Sequence, residues 1–252
     1  TGLTNIRTVD GSKAEGNLTF SNTATMTSVK TGSGNDTVTV AAAVASGETI
    51  NLGAGNDKLK GTGSVAAGSI IDGGAGIDSL DAALVTSGNA GVFANFETLS
   101  LTTTNVDFDI ALLNKSTFTT IAIDGANTST VRNVSTSQSL AVNASALAGA
   151  TTTLLFKDVA GTADAYTINF NADNTASTNA GTVVIAGIET VTVNSVGKAG
   201  VTTNTIKLTD ADAKSLVITG DKALDVTFGT FGTAATATNG LGVSTIDAST
   251  AT

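Results

Sequence analysis

Three aspartates, Asp36, Asp57 and Asp78, stand 21 residues apart, and each closes a glycine-rich run. The runs are Thr31-Gly32-Ser33-Gly34-Asn35-Asp36, Leu52-Gly53-Ala54-Gly55-Asn56-Asp57 and Gly73-Gly74-Ala75-Gly76-Ile77-Asp78. Glycines let the backbone turn tightly, with positive φ where needed, so that carbonyl oxygens face inward. An Asp adds a hard anionic oxygen, and Ca2+ takes about 6–8 oxygens in flexible geometry. The chemistry available to such runs is therefore coordination of a hard cation. Its candidate positions are Gly32, Gly34, Asn35 and Asp36; Gly53, Gly55, Asn56 and Asp57; and Gly73, Gly74, Gly76 and Asp78. One Gly-x-Gly-Asn-Asp alone would read as an ordinary turn, since all three residue types favour turns. Three in register point to a built site.

Other chemistry is poorly provided for. The chain has no His and no Cys, which removes a Ser-His-Asp triad, an H-E-x-x-H zinc motif, zinc-thiolate sites and disulfides. Proton transfer on a polysaccharide would need a donor and an acceptor in a cleft, and the chain offers one tyrosine, Tyr166, and the arginines Arg7 and Arg132. Glu97 and Glu189 recur in one strand context, 92 residues apart, which reads as equivalent structural places rather than a catalytic pair. Asp72 and Asp81 flank the third run as further ligands or, equally, as solvated or capping residues, and are left out of the candidate set. The chain is expected not to be an enzyme. A net charge of −9 disfavours nucleic acid, which demands clustered Lys and Arg, and favours a cation. Charged residues make up only 13% of the chain, against about 25% in ordinary domains, so an acidic disordered tail is not expected either.

The elements that must position the three runs are strands. Short alternating segments occur at Thr37–Val40, Glu48–Leu52, Glu97–Leu101, Thr120–Ile123, Thr167–Phe170 and Glu189–Val193, with Gly, Asn or Asp in most of the gaps. The apolar residue two places after each aspartate (Val38, Leu59, Leu80) opens a strand and is expected to point into a core. Asn143–Leu147 and Thr209–Leu216 are expected to form single helical turns. Asn95–Leu101 is echoed by Gly187–Val193, so residues 1–90 are read as N-terminal strands with the Gly-Asp roll. Residues 91–252 are read as a Thr/Ala-rich solenoid with sub-segments of about 91–180 and 181–252. No apolar run reaches the roughly 18–20 residues that span a bilayer, so no membrane insertion is expected. The start at Thr1-Gly2-Leu3 reads as a piece of something longer.

The three runs resemble the nine-residue repeat of calcium-binding RTX proteins, G-G-x-G-x-D-x-U-x with U a large apolar residue. The third copy is complete; Thr31 and Leu52 replace the first Gly in the other two. The resemblance implies Ca2+ held between successive loops on one edge of a parallel β-roll, with two full inter-loop sites and a third, partial one. Same-edge loops in the family recur every 18 residues; here the spacing is 21, and the half-coils Ala41–Ile50 and Gly61–Ile70 lack an Asp, which implies calcium loops on one edge only. The order of features over residues 25–250 (Gly-Asp block, Phe96-Glu97-Thr98-Leu99, a Thr/Ala-rich stretch, Ile188-Glu189-Thr190-Val191, then Ala213–Gly220) is similar to the surface-layer (S-layer) proteins that Gram-negative bacteria export by type I secretion. That resemblance implies an all-β parallel β-roll continuing into β-solenoid or β-helix segments. It also implies an extracellular location on the bacterial cell surface and a calcium-dependent lattice whose partner is the chain itself, with outer-membrane polysaccharide bound through parts outside this chain. The alternative is a calcium-binding segment of a large type I secreted RTX adhesin.

Overall fold

The computed structural model describes residues 5–232 and 245–251, and they form a parallel β-solenoid. In chain order the strands are β1 (Thr8–Asp10), β2 (Thr19–Ser21), β3 (Ser28–Lys30), β4 (Thr37–Val40), β5 (Thr49–Asn51), β6 (Lys58–Gly61), β7 (Ile70–Asp72), β8 (Ser79–Asp81), β9 (Phe93–Ala94), β10 (Thr98–Leu101) and β11 (Asp107–Asp109). They continue as β12 (Thr120–Asp124), β13 (Ser129–Val134), β14 (Ser139–Ala144), β15 (Thr151–Phe156), β16 (Ala165–Phe170), β17 (Asn179–Ile185), β18 (Thr190–Asn194), β19 (Thr203–Asp210), β20 (Ser215–Gly220), β21 (Ala223–Phe231) and β22 (Thr245–Ala251). The chain divides into two compact units, one running to Ser100 and taking in Ala111–Thr119, the other made of Leu101–Ile110 and the chain from Thr120 onward.

In the first unit, alternate strands belong to two sheets, β1-β3-β5-β7-β9 and β2-β4-β6-β8-β10, and each strand pairs in parallel with the one two places on. Alternation puts one side chain in two inward, and stacking coils turns those positions into ranks. Val29, Ile50, Ile71 and Phe93 form one rank, and Val38, Leu59, Leu80 and Leu99 the other, each at most 2% exposed. On the return corner Val44 pairs with Val65, the Gly47 N–H donates to Gly68 O and Glu48 accepts the Ala45 N–H at 2.7 Å, so that edge closes without an aspartate.

The second unit repeats the plan with longer strands, in the sheets β11-β13-β15-β17-β19-β21 and β12-β14-β16-β18-β20-β22. Its inward ranks include Phe108, Val131, Leu154 and Ile185, and also Tyr166, Val191 and Leu216. The two helical turns expected from the sequence are absent. Asn143 and Ala144 end β14, and Thr209–Leu216 holds the end of β19, a turn at Ala211–Asp212 and the start of β20. The Asp210 carboxylate explains the second case, since its Oδ1 accepts the Asp212 N–H at 3.0 Å and closes the corner as an Asx-type turn. Among the described residues no helix is long and apolar enough to cross a membrane.

Candidate metal centre

The three Gly-Asp runs are the corners that lead from β3 to β4, from β5 to β6 and from β7 to β8, stacked directly on one another. Two ranks of glycine make the stacking close: Gly32 under Gly53 under Gly74, and Gly34 under Gly55 under Gly76. Gly74 and Gly76 have φ of +100° and +140°, and a Cβ on either would strike the carbonyl of the glycine below. The glycines of the motif are thus demanded by backbone-to-backbone approach. The loops also bond directly, with Ala54 N–H donating to Gly32 O at 2.8 Å and Ala75 N–H to Gly53 O at 2.9 Å. Each of those carbonyls retains a second lone pair.

The first-Gly substitutions turn inward. Leu52 is fully buried in the core, and buried Thr31 donates its hydroxyl to Leu52 O. Gly73 keeps the complete motif because a side chain there would meet Asn95 O and the Asp78 carboxylate.

Two side-chain columns run along this corner in opposite senses. The exposed asparagines accept from the coil above: Asn35 Oδ1 from the Asn56 N–H at 2.8 Å, and Asn56 Oδ1 from the Ile77 N–H at 3.0 Å. The aspartates accept from the coil below: Asp57 Oδ1 from the Asp36 N–H at 2.7 Å, and Asp78 Oδ1 from the Asp57 N–H at 2.8 Å. Asp36, Asp57 and Asp78 are each no more than 1% exposed. Asp36 uses both oxygens, on the Leu18 and Gly32 amides. Asp57 Oδ2 and Asp78 Oδ2 are buried and have no hydrogen-bond partner.

Burial, with neighbouring acids adding to it, pushes both carboxyls up to about 6: Asp57 faces Asp36, and Asp78 faces Asp57, Glu97 and Asp72. Two stacked carboxylates, each with an orphaned inner oxygen and no base beside it, form an arrangement that a proton or a cation must complete. The donor set suits Ca2+, being all hard oxygen: the carboxylates, asparagine amides and main-chain carbonyls. Among the described residues no three acidic side chains converge on one point, so carbonyls would supply much of any coordination sphere.

Two rungs of this corner escape the Gly-Asp pattern. Ala14-Glu15-Gly16-Asn17-Leu18 is a coil below, whose Asn17 Oδ1 accepts the Asn35 N–H at 2.8 Å and whose Leu18 stands in the aspartate place. Gly16-Asn17 lies 18 residues before Gly34-Asn35, off the 21-residue spacing of the aspartates. Above, Glu97 Oε2 accepts the Asp78 N–H at 2.8 Å, which makes Glu97 the next acid of the column. Phe96-Glu97-Thr98-Leu99 overlays Ile77-Asp78-Ser79-Leu80 once the spacing is allowed to shorten to 19.

Asp72 and Asp81 serve the fold. Asp72 accepts from the Gly74 amide and from the Asn51 and Asn95 side chains, and Asp81 caps the short turn Ala82–Leu84. Glu189 has the same place in its own unit as Glu97, its Oε2 on the Asp164 N–H at 2.9 Å. The chain matches no known protein family and no curated protein.

Proposed function

We propose that this chain is a calcium-clamped structural solenoid, a segment of a secreted surface-layer protein that assembles into a lattice on the bacterial cell. The observation that carries the reading is the pair of buried, unpartnered oxygens on Asp57 and Asp78 at the stacked glycine corner. Where calcium is scarce, the ionised column repels itself and disfavours the folded coils. Where calcium is abundant, binding to the folded form alone adds its free energy to folding. Lattice formation is inferred from the feature order shared with surface-layer proteins.

The test is far-UV circular dichroism with light scattering while CaCl2 and then EDTA are added. β-signal and particle size rising together with calcium, and falling with chelator, is the expected result. Folding that responds while size does not would favour the adhesin segment over the lattice. No response of either would refute the calcium reading.

A further inference from the structure

The main-chain frame that ends the acidic column recurs in the second unit, with a different charge set on it. In the first unit the column Asp36–Asp57–Asp78–Glu97 has no Lys or Arg paired with it among the described residues. In the second, Asp164 and Glu189 repeat the main-chain bonds of Asp78 and Glu97, and Glu189 takes the Asp164 N–H as Glu97 takes that of Asp78, but the half-buried Asp164 carboxylate turns to the Gly161 N–H of its own loop. The Asp164 carbonyl receives the N–H groups of Glu189 and Thr190, as the Asp78 carbonyl receives those of Glu97 and Thr98. One coil further on, 25 residues after Glu189, the column holds Lys214 instead of an acid. Its ammonium lies 3.5 Å from Glu189 Oε1 and donates to Thr162 O at 3.5 Å, while Glu189 itself is 8% exposed. One carboxylate oxygen and one main-chain carbonyl are the ligand types a calcium ion would use at the same corner.

We propose that Lys214 is the resident cation of the second unit's acidic corner, neutralising Glu189 as a divalent cation neutralises the column of the first unit; this rests on the calcium reading above. Calcium control of folding is then confined to the first unit, and the second folds without it. Asp210, the other buried acid here, also leaves its Oδ2 without a partner, but it stands alone rather than in a stack of acids, and burial first and the neighbouring Asp212 and Glu189 second push it up to about 7, so near neutral pH a proton serves it. Stability in repeat architectures is roughly a sum of local and nearest-neighbour terms, so one set of coils can open while another holds.

Hydrogen–deuterium exchange of the whole chain in Ca2+ and in EDTA tests this. Chelation is expected to speed exchange in Thr37–Val40, Lys58–Gly61 and Ser79–Asp81 by about tenfold or more, and in Ala165–Phe170, Thr190–Asn194 and Ser215–Gly220 by less than about threefold. Lys214→Glu, which lengthens the acid column, is expected to make protection of Thr190–Asn194 depend on calcium. Lys214→Gln, milder for folding, is expected to speed exchange there in EDTA, with calcium restoring it. The proposal is overturned if both units of the unaltered chain open together in EDTA, or if neither variant gains a calcium response. If neither unit of the unaltered chain responds, the calcium reading falls and takes this inference with it.

Discussion

Asp57 and Asp78 each hold one oxygen on a main-chain amide and leave the other buried without a partner. That division separates structure from function within a single side chain. An asparagine can keep the first bond while removing the charge, so Asp57→Asn separates the two roles. Without calcium at pH 7 it is expected to be more stable than the unaltered chain by about 1–2 kcal/mol, because a buried charge has gone. In calcium it should lose most of the gain that the unaltered chain shows; chemical unfolding in both conditions measures it.

The same residues set a pH dependence. Asp57 and Asp78 are raised to about 6 and Asp210 to about 7, above their unfolded values near 4, so the folded chain holds these protons longer than the unfolded chain does. Calcium-free stability is therefore expected to fall as pH rises from about 4 to about 7. Calcium affinity should climb over the same window as the carboxyls ionise, with proton release on binding below about pH 6. Melting curves against pH in EDTA and in Ca2+ check the sign. The aspartates and their glycines were legible in the sequence because type and spacing coincide. The rungs at Leu18 and Glu97 were not, since one lacks the acid and both break the 21-residue spacing.

At the scale of the element, the short strands were legible wherever β-branched residues alternate beside a turn signal, as at Thr37–Val40 and Glu189–Val193. Longer strands such as Ser129–Val134 and Ala223–Phe231 follow turn signals too, at Asp124-Gly125 and Gly220-Asp221, but Arg132, Asn133 and Gly229 interrupt their alternation, and they gain their identity only from neighbours on either side. The expected helical turn at Thr209–Leu216 failed because the corner between two stacked strands is closed by the Asp210 carboxylate. Packing in these coils leaves little tolerance. Leu59→Ala empties a fully buried place between Val38 and Leu80 and is expected to cost about 2–5 kcal/mol. Gly74→Ala meets both a positive φ and the Gly53 carbonyl, at a cost of roughly 2–5 kcal/mol. Both losses would be read from unfolding midpoints in saturating calcium.

At the scale of the whole molecule, a charge of −9 on a chain with sparse charged residues leaves folding sensitive to the few acids that the solenoid buries. Those acids sit on corners, so under the proposed calcium clamp cation binding and coil stacking would be one event in the first unit. Parallel coils with long-range pairing fold slowly, which is consistent with the proposal of folding on meeting calcium. The fold class was legible from the repeat and the strand periodicity. The second acidic corner at Asp164, Glu189 and Lys214 was not, because its spacing of 25 appears only once the coils are stacked. Calcium is proposed to stabilise this chain through the inner oxygens of Asp57 and Asp78. The most direct test is chemical unfolding at pH 7 of the unaltered chain and of Asp57→Asn/Asp78→Asn, each in Ca2+ and in EDTA. Calcium should raise the midpoint of the unaltered chain and leave the double variant where it stands in EDTA. A double variant that gains as much from calcium as the unaltered chain would contradict the account.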